Sequence, residues 1–419
     1  MAENRRVVIT GMGGVTPLGS SWEEILQELR ARRNGVVRMD AWDRFSGLDT
    51  RLAAPCKAPI GETYGYNRKL TRGMGRVAIF AVRASELALR DAGLIGSPLL
   101  ISARCGVAYG SCSGSTDAVE PFARMRLESS TRGISATSYI QMMPQTCAVN
   151  IGLFFGLQGR VIPTCSACTS GSQAVGYAFE AVRAGRCDLM VAGGAEELDP
   201  AMAAVFDVMY ATSRKNDTPS LSPRPFDKDR DGLVIGEGST TLVIESLEHA
   251  LARGAHIHAE ILGFGTNSDG VHLTQPSSET MLDAAREALD DARLKPEKIG
   301  YVNAHATATE LGDIAEPEAT HRLLGSSVPV ASIKGYTGHT LGAAGALESW
   351  WTIAMMNQGW FAPSLGLDQV DTRCAPLNYL MGDGLELNTD IVMNNNFAFG
   401  GINTSLIFGR WPRSEEFKV

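Results

Sequence analysis

Three side chains of this sequence suit carbonyl chemistry and stand far apart along it: Cys168 in TCSACTSGSQAVGYAFEAVRAG, His305 in YVNAHATATELGD and His339 in SIKGYTGHTLGAAGALE. A thiol followed by small residues and then by a helical pattern is one way to make a nucleophile. Ala174, Val175, Ala178 and Val182 recur at helical spacing, and Gly185 is placed to end the run. Thr169, Ser170 and Gly171 would form the first turn, leaving Cys168 at the positive end of the helix dipole. Free N–H groups there stabilise a thiolate and hold an anionic oxygen. Alone, such a cysteine is more often an inert core residue, and a single histidine a satisfied structural one. The company of all three is what points to catalysis.

Competing readings are weaker. Cys165 and Cys168 form a C-x-x-C pair, but a zinc site wants a second pair or nearby histidines, and a thioredoxin-like motif wants a small redox domain. The glycine-rich VVITGMGGVTPLG misses the G-x-G-x-x-G spacing and reads as a strand followed by a tight turn.

The elements that must bring these residues together are written twice. ASELALRDAGL (84–94) and AAREALDDARL (284–294) share Ala84/Ala284, Ala88/Ala288, Leu89/Leu289, Asp91/Asp291, Ala92/Ala292 and Leu94/Leu294. Each is followed by a strand-like run, CGVAYGS or IGYVNAHA. DLMVAGGAEE pairs with DIVMNNNFAF, and the helix after Cys168 pairs with GAAGALESWWTIAMMNQG. Strands near residues 7 and 259 open the halves. Alternating β and α patterns imply parallel strands between helices. We therefore expect two α/β halves, 1–255 with the cysteine and 256–419 with both histidines, each with a five-stranded mixed sheet. The apolar GALESWWTIAMM helix should lie between the sheets. Shared βα grammar without duplication is the plainer alternative.

At 419 residues, 44% hydrophobic and 20% charged, the chain reads as a globular enzyme, and its net charge of −8 argues against nucleic acid. No stretch approaches the roughly 18 apolar residues of a membrane span. The N-terminal MAENRRVVIT lacks a signal peptide's apolar core, and eight scattered cysteines suit a reducing compartment, so a cytoplasmic location is expected.

Five separated motifs resemble, in order, those of the β-ketoacyl-acyl-carrier-protein synthases of the I/II type, in the thiolase-like superfamily. ACTSG holds the nucleophile position, Cys168. PFDKDRDGLVIGEG is similar to FDxxRDGFVxGEG, and VNAHATATELGD to VNAHGTSTxxGD, with Ala306 and Ala308 replacing a glycine and a serine. IKGYTGHTLGAAGALE matches the segment with a lysine and the second histidine, Lys334 and His339. NNNFAFGGINTS resembles NSFGFGGTN, with the gating phenylalanine at Phe399. Degradative thiolases have a second cysteine where this chain reads FAFGGIN. Type III synthases pair one histidine with an asparagine. Chain-length-factor partners, the structural-subunit alternative, lack the nucleophile.

The resemblance implies a five-layered αβαβα fold, usually a homodimer, and a decarboxylative Claisen condensation between an acyl group on Cys168 and malonyl carrier protein. Phe399 and Cys168 N–H groups would hold the oxyanion, and His305 and His339 the malonyl carbonyl. Lys334 would support the site electrostatically, or simply pair with a buried carboxylate such as Glu348. Thr307 and Thr309 match threonines that contact the pantetheine arm, with turn capping as their alternative, and Thr274 lies in a loop used near the substrate. No organic cofactor is implied, and a structural cation would sit near Asn303, Glu348 and Asn394. Acyl- and malonyl-loaded carrier protein is the implied partner, with a homodimer or a heterodimer with a related ketosynthase-like subunit. Candidate docking cations are Arg68, Lys69, Arg72 and Arg76, then Arg124 and Lys215; a solvated face is the plainer account. IQMMPQTCAVN and RVIPTCSACTSGSQA are similar to strings of aryl-polyene synthases, which inclines the reading toward a specialised chain. Ser113 stands where the family's GSGIGG has isoleucine, so we expect a wide acyl tunnel lined by Ser113, unless Ser113 is a turn residue pointing away.

Overall fold

The computed structural model describes residues 5–58 and 62–412. The first half supplies β1 (Val7–Val15), α1 (Arg76–Asp91), β2 (Cys105–Gly110), α2 (Thr146–Phe155), β3 (Val161–Thr164), α3 (Ser170–Arg183), β4 (Leu189–Glu196) and β5 (Gly238–Ser246). The second supplies β6 (Ala259–Ser268), α4 (Ser278–Ala292), β7 (Tyr301–Asn303), α5 (Gly312–Leu324), β8 (Pro329–Ala331), α6 (Ala344–Gln358), β9 (Ile391–Ala398) and β10 (Ile402–Arg410).

The strands run in the order β3-β2-β4-β5-β1 and then, through β1 against β6, β6-β10-β9-β7-β8. A two-residue strand, Asn378–Tyr379, adds parallel to the outside of β8 and makes the second half six-stranded rather than the expected five. In both halves the inner pairs are antiparallel and the outer ones parallel. One half therefore repeats the other's topology, and the short β1–β6 pairing, Val7–Ile9 on Ala259–Ile261, joins them. Helices α1 and α2 cover one sheet, α4 covers the other with α5 packed against it, and α3 and α6 fill the layer between. This is the expected αβαβα arrangement.

Helix α6 is buried on every face from Ala344 to Met356, including Trp351 at 0% exposure. A helix apolar all round belongs in the middle of a large core.

The glycines near the N-terminus differ from expectation. They lie inside β1, which continues to Val15, rather than in a turn after it. The reason is packing. A Cβ on Gly11 would sit 2.3 Å from the Ala88 carbonyl oxygen, and one on Gly13 2.7 Å from the Ala88 nitrogen. The second half repeats the device: Gly263 and Gly265 would place a Cβ 2.2 Å and 2.1 Å from the carbonyl oxygens of Ala288 and Ala284. The alanines of the repeated helices and the glycines of the repeated strands are one interlocking surface.

Gly11→Val and Gly263→Val should each cost about 1–3 kcal/mol by forcing helix from strand. The urea midpoint should fall at unchanged slope; an unaltered midpoint would show that the layers are not held this closely.

Candidate active site

Cys168 lies in a 3-10 turn, Ala167–Thr169, between the end of β3 and the start of α3 at Ser170, so the helix begins two residues after the thiol. Cys165 sits just past β3 rather than on it, half exposed, its Sγ donating to the Cys112 carbonyl. The small polar residues sew this turn shut. Thr169 Oγ1 donates to Ser166 O at 2.7 Å, Ser170 Oγ to Ala167 O at 2.7 Å, and Thr164 Oγ1 to Ser170 O at 2.8 Å. Ala167 takes φ +50°, a left-handed conformation unfavourable for a residue with a Cβ and held by those bonds.

His339 arrives from the other half. Its backbone N–H donates to Val234 O at 2.7 Å, and its Nε2 lies 2.9 Å from Cys168 Sγ. Close packing of the central helices makes this possible: a Cβ on Gly171 would sit 2.8 Å from Gly342 O, and one on Gly345 2.6 Å from Ser172.

His305 follows β7. Glu316 of α5 accepts the backbone N–H groups of His305 and Ala306, both at 2.7 Å, fastening the loop that carries the imidazole. Burial pushes the Glu316 carboxyl up to about 8. Asp313 does the same for Ala308 N–H and Phe226 N–H, and burial raises it to about 6. The rings of His305 and His339 meet edge to face at 5.2 Å. One ligating atom from each of Cys168, His305 and His339 falls within a 4.8 Å span.

Cys168, His305, His339 and Phe399 open on one cleft of about 570 Å³. Thr307, Thr309 and Thr274 line it as well, and the two threonine hydroxyls at 307 and 309 touch at 3.1 Å. Two expected residues do not line it. Ser113 turns its hydroxyl onto Gly114 O at 3.4 Å, as a turn residue would. Lys334 is buried behind the histidines and paired with Glu348 Oε1.

The charge state differs from the expected thiolate. Burial pushes the Cys168 thiol up to about 12, against the opposing pull of Lys334 and of the Phe399 and Cys168 N–H groups. Burial, followed by the field of Lys334, holds both His305 and His339 well below the usual imidazole range. Desolvation of the charged forms outweighs the helix end and favours thiol and neutral imidazole over thiolate and imidazolium.

Several contributors carry sequence signals too faint to single out. Phe206 stacks on Phe399 with centroids 5.3 Å apart, and Met209, Tyr210 and Leu273 extend the apolar mouth. Asn396 Nδ2 donates to Glu348 Oε2 at 2.6 Å and faces His305. The run of three asparagines inside an otherwise apolar strand was its one signal. Asn303 and Asn394 do lie together, bonded at 2.8 Å, with Asn303 Oδ1 left unpartnered. Both Glu348 oxygens, however, are already engaged.

Family models described as beta-ketoacyl synthase, N-terminal domain, and beta-ketoacyl synthase, C-terminal domain, match residues 4–250 and 258–368. A 3-oxoacyl-[acyl-carrier-protein] synthase 2 of Vibrio cholerae is 37% identical over 97% of this chain and 99% of its own length. The crystal structure of a beta-ketoacyl synthase from Burkholderia phymatum is similar with a TM-score of 0.95 and 57% identity, covering 97% of this chain and 99% of its own. The ishigamide ketosynthase/chain length factor is similar at 0.88 and 30%, covering 97% and 100%.

A thiol raised to about 12 is less ionised at any given pH than a free one. Alkylation of Cys168 by iodoacetamide should therefore climb roughly tenfold per pH unit from about pH 6 to about pH 9 without levelling. A plateau in the neutral range would instead mean a resting thiolate–imidazolium pair.

Proposed function

The chain belongs to the β-ketoacyl synthase family, and we propose that Cys168, His305 and His339 carry out its decarboxylative condensation. The protein is an acyltransferase of the 3-oxoacyl-[acyl-carrier-protein] synthase type. The carrying observation is His339 Nε2 at 2.9 Å from Cys168 Sγ, with His305 beside it in the same cleft.

In the first half-reaction Cys168 Sγ attacks the thioester carbonyl of acyl carrier protein. Its proton moves to His339 Nε2 as the S–C bond forms, then to the departing carrier thiolate, which leaves as a thiol. The N–H groups of Cys168 and Phe399 hold the transient oxyanion. In the second, malonyl carrier protein binds with its thioester oxygen toward the imidazoles. The C–CO2 bond breaks, and its electron pair becomes an enolate held by the N–H of His305 and, once the His339 proton has passed from Nδ1 to Nε2, by that of His339. The enolate carbon attacks the acyl-cysteine carbonyl and expels Cys168 as thiolate, which takes a proton from solvent. The product is a 3-oxoacyl thioester longer by two carbons. Neutral imidazoles suit this step, because each offers an N–H without a charge to desolvate.

A chain-length-factor-like role is the weaker reading, since the nucleophile and both histidines converge. Pathway assignment stays with the resemblance: a fatty-acyl or polyene chain, the latter favoured by the strings around Cys147 and Cys168. The edge strand β3, with Val161 half exposed, and the bare Leu153 on α2, which packs against β3, favour assembly with a second ketosynthase-type chain, identical or related. We place the protein in the cytoplasm; among the described residues no helix is long and apolar enough to cross a membrane.

Carrier protein docks, in this reading, on the exposed face of Arg68, Lys69 and Arg72. Arg76 is removed from that patch, because its guanidinium turns inward to Glu237 at 2.7 Å and over the Phe80 ring. Arg124 is tied to Glu120, and Lys215 donates to Asp229 O.

Cys168→Ala should abolish acyl transfer, whereas Cys165→Ala should keep most of it, as read by mass of the acylated protein. Equal loss in both, or acyl found on Cys165, would reassign the nucleophile. Reversing Arg68 and Lys69 to Glu should raise the apparent KM for carrier-bound substrate about tenfold or more and flatten its salt dependence. An unchanged KM would move the docking face elsewhere.

A further inference from the structure

Resting on the reading of His305 as a donor to the malonyl thioester, we propose that Asn396 is a positioning residue that decides which nitrogen of His305 carries the proton. The side chain of Asn396 is held by two neighbours of opposite demand. Its Nδ2 donates to Glu348 Oε2 at 2.6 Å, and its Oδ1 accepts from Asn394 Nδ2 at 3.3 Å. Asn394 is itself oriented, its Oδ1 accepting from Asn303 Nδ2 at 2.8 Å, while the two hydrogens of its Nδ2 are shared among Asn396 Oδ1 and, at 3.2 Å each, Gly345 O and Ser349 Oγ. Turning the Asn396 amide over would set its oxygen against a carboxylate and its NH2 against another NH2, so the orientation is determined chemically.

The second hydrogen of Asn396 Nδ2 faces His305 Nδ1 at 3.5 Å. The contact is long, as contacts in a substrate-free site commonly are. An amide nitrogen only donates, so the imidazole nitrogen opposite it must accept. Burial keeps His305 neutral, and a neutral ring that accepts at Nδ1 carries its proton on Nε2. That proton is the one a thioester oxygen in the cleft would receive. Lys334 completes the chain by pairing with Glu348 Oε1, so Lys334, Glu348 and Asn396 act on His305 in series. In the motif NSFGFGGTN this place belongs to serine, whose single hydroxyl proton cannot serve Glu348 and His305 together.

The test uses the full chain with 15N-labelled histidine, as wild type, Asn396→Asp, Asn396→Ala and His305→Ala, the last identifying the His305 signals. Wild type should show Nε2 protonated and Nδ1 bare. A carboxylate in place of the amide should draw a proton to Nδ1, and CO2 release from malonyl carrier protein should fall about 10- to 100-fold, the usual cost of losing a partner that orients a functional histidine. Acyl loading of Cys168, read by mass, should fall less than about threefold. Should Asn396→Asp not fold, Asn396→Ala decides, with mixed protonation and the same unequal loss. An unchanged nitrogen pattern with CO2 release near wild type overturns the proposal, and so does equal loss of loading and CO2 release, the mark of a merely structural role. If His305→Ala releases CO2 like wild type, the assignment of His305 itself falls.

Discussion

Contact between the starts of the two central helices governs this molecule. Helix α3 follows Cys168 and α6 follows His339, and glycines at 171 and 345 let their first turns approach to backbone distance. Any larger side chain there would push apart the two segments that hold Cys168 and His339 2.9 Å from each other. The rest of the fold serves that contact. Two sheet halves that share the same five-strand order, the second with one further edge strand, clamp the helices from either side, and α6, buried from Ala344 to Met356, gives the clamp its apolar filling.

Burial sets the chemistry of the cleft more strongly than charge does. Lys334, almost wholly buried, lowers the proton affinity of both histidines and of the thiol. For the histidines this adds to desolvation; for the thiol it opposes desolvation and loses. Both effects favour the uncharged forms of the two histidines, and burial favours that of the thiol. Buried ion pairs of the Lys334–Glu348 kind add little to stability after desolvation, since attraction and lost hydration nearly offset. Their use here is geometric: Glu348 orients Asn396, and Asn396 faces His305.

The same economy recurs in the loop after β7. Glu316 and Asp313 accept backbone N–H groups rather than pairing with cations, and burial raises both toward neutrality. They hold the loop open to the cleft while Thr307 and Thr309 line it.

The sequence alone determined the repeated α/β halves, the central apolar helix and the identity of the three side chains that meet in the cleft. Those features are periodic or carried by local strings such as ACTSG, and periodicity and local turns are what a linear chain records directly. The glycines of β1 were legible as residues but not as packing, because the alanines they meet lie about 80 positions away. Tertiary structure alone decided that Arg76 turns inward to Glu237, that Ser113 stays off the cleft and that burial raises the proton affinity of the Cys168 thiol. Each depends on how many neighbours exclude water and from which direction, and no spacing along a chain encodes that.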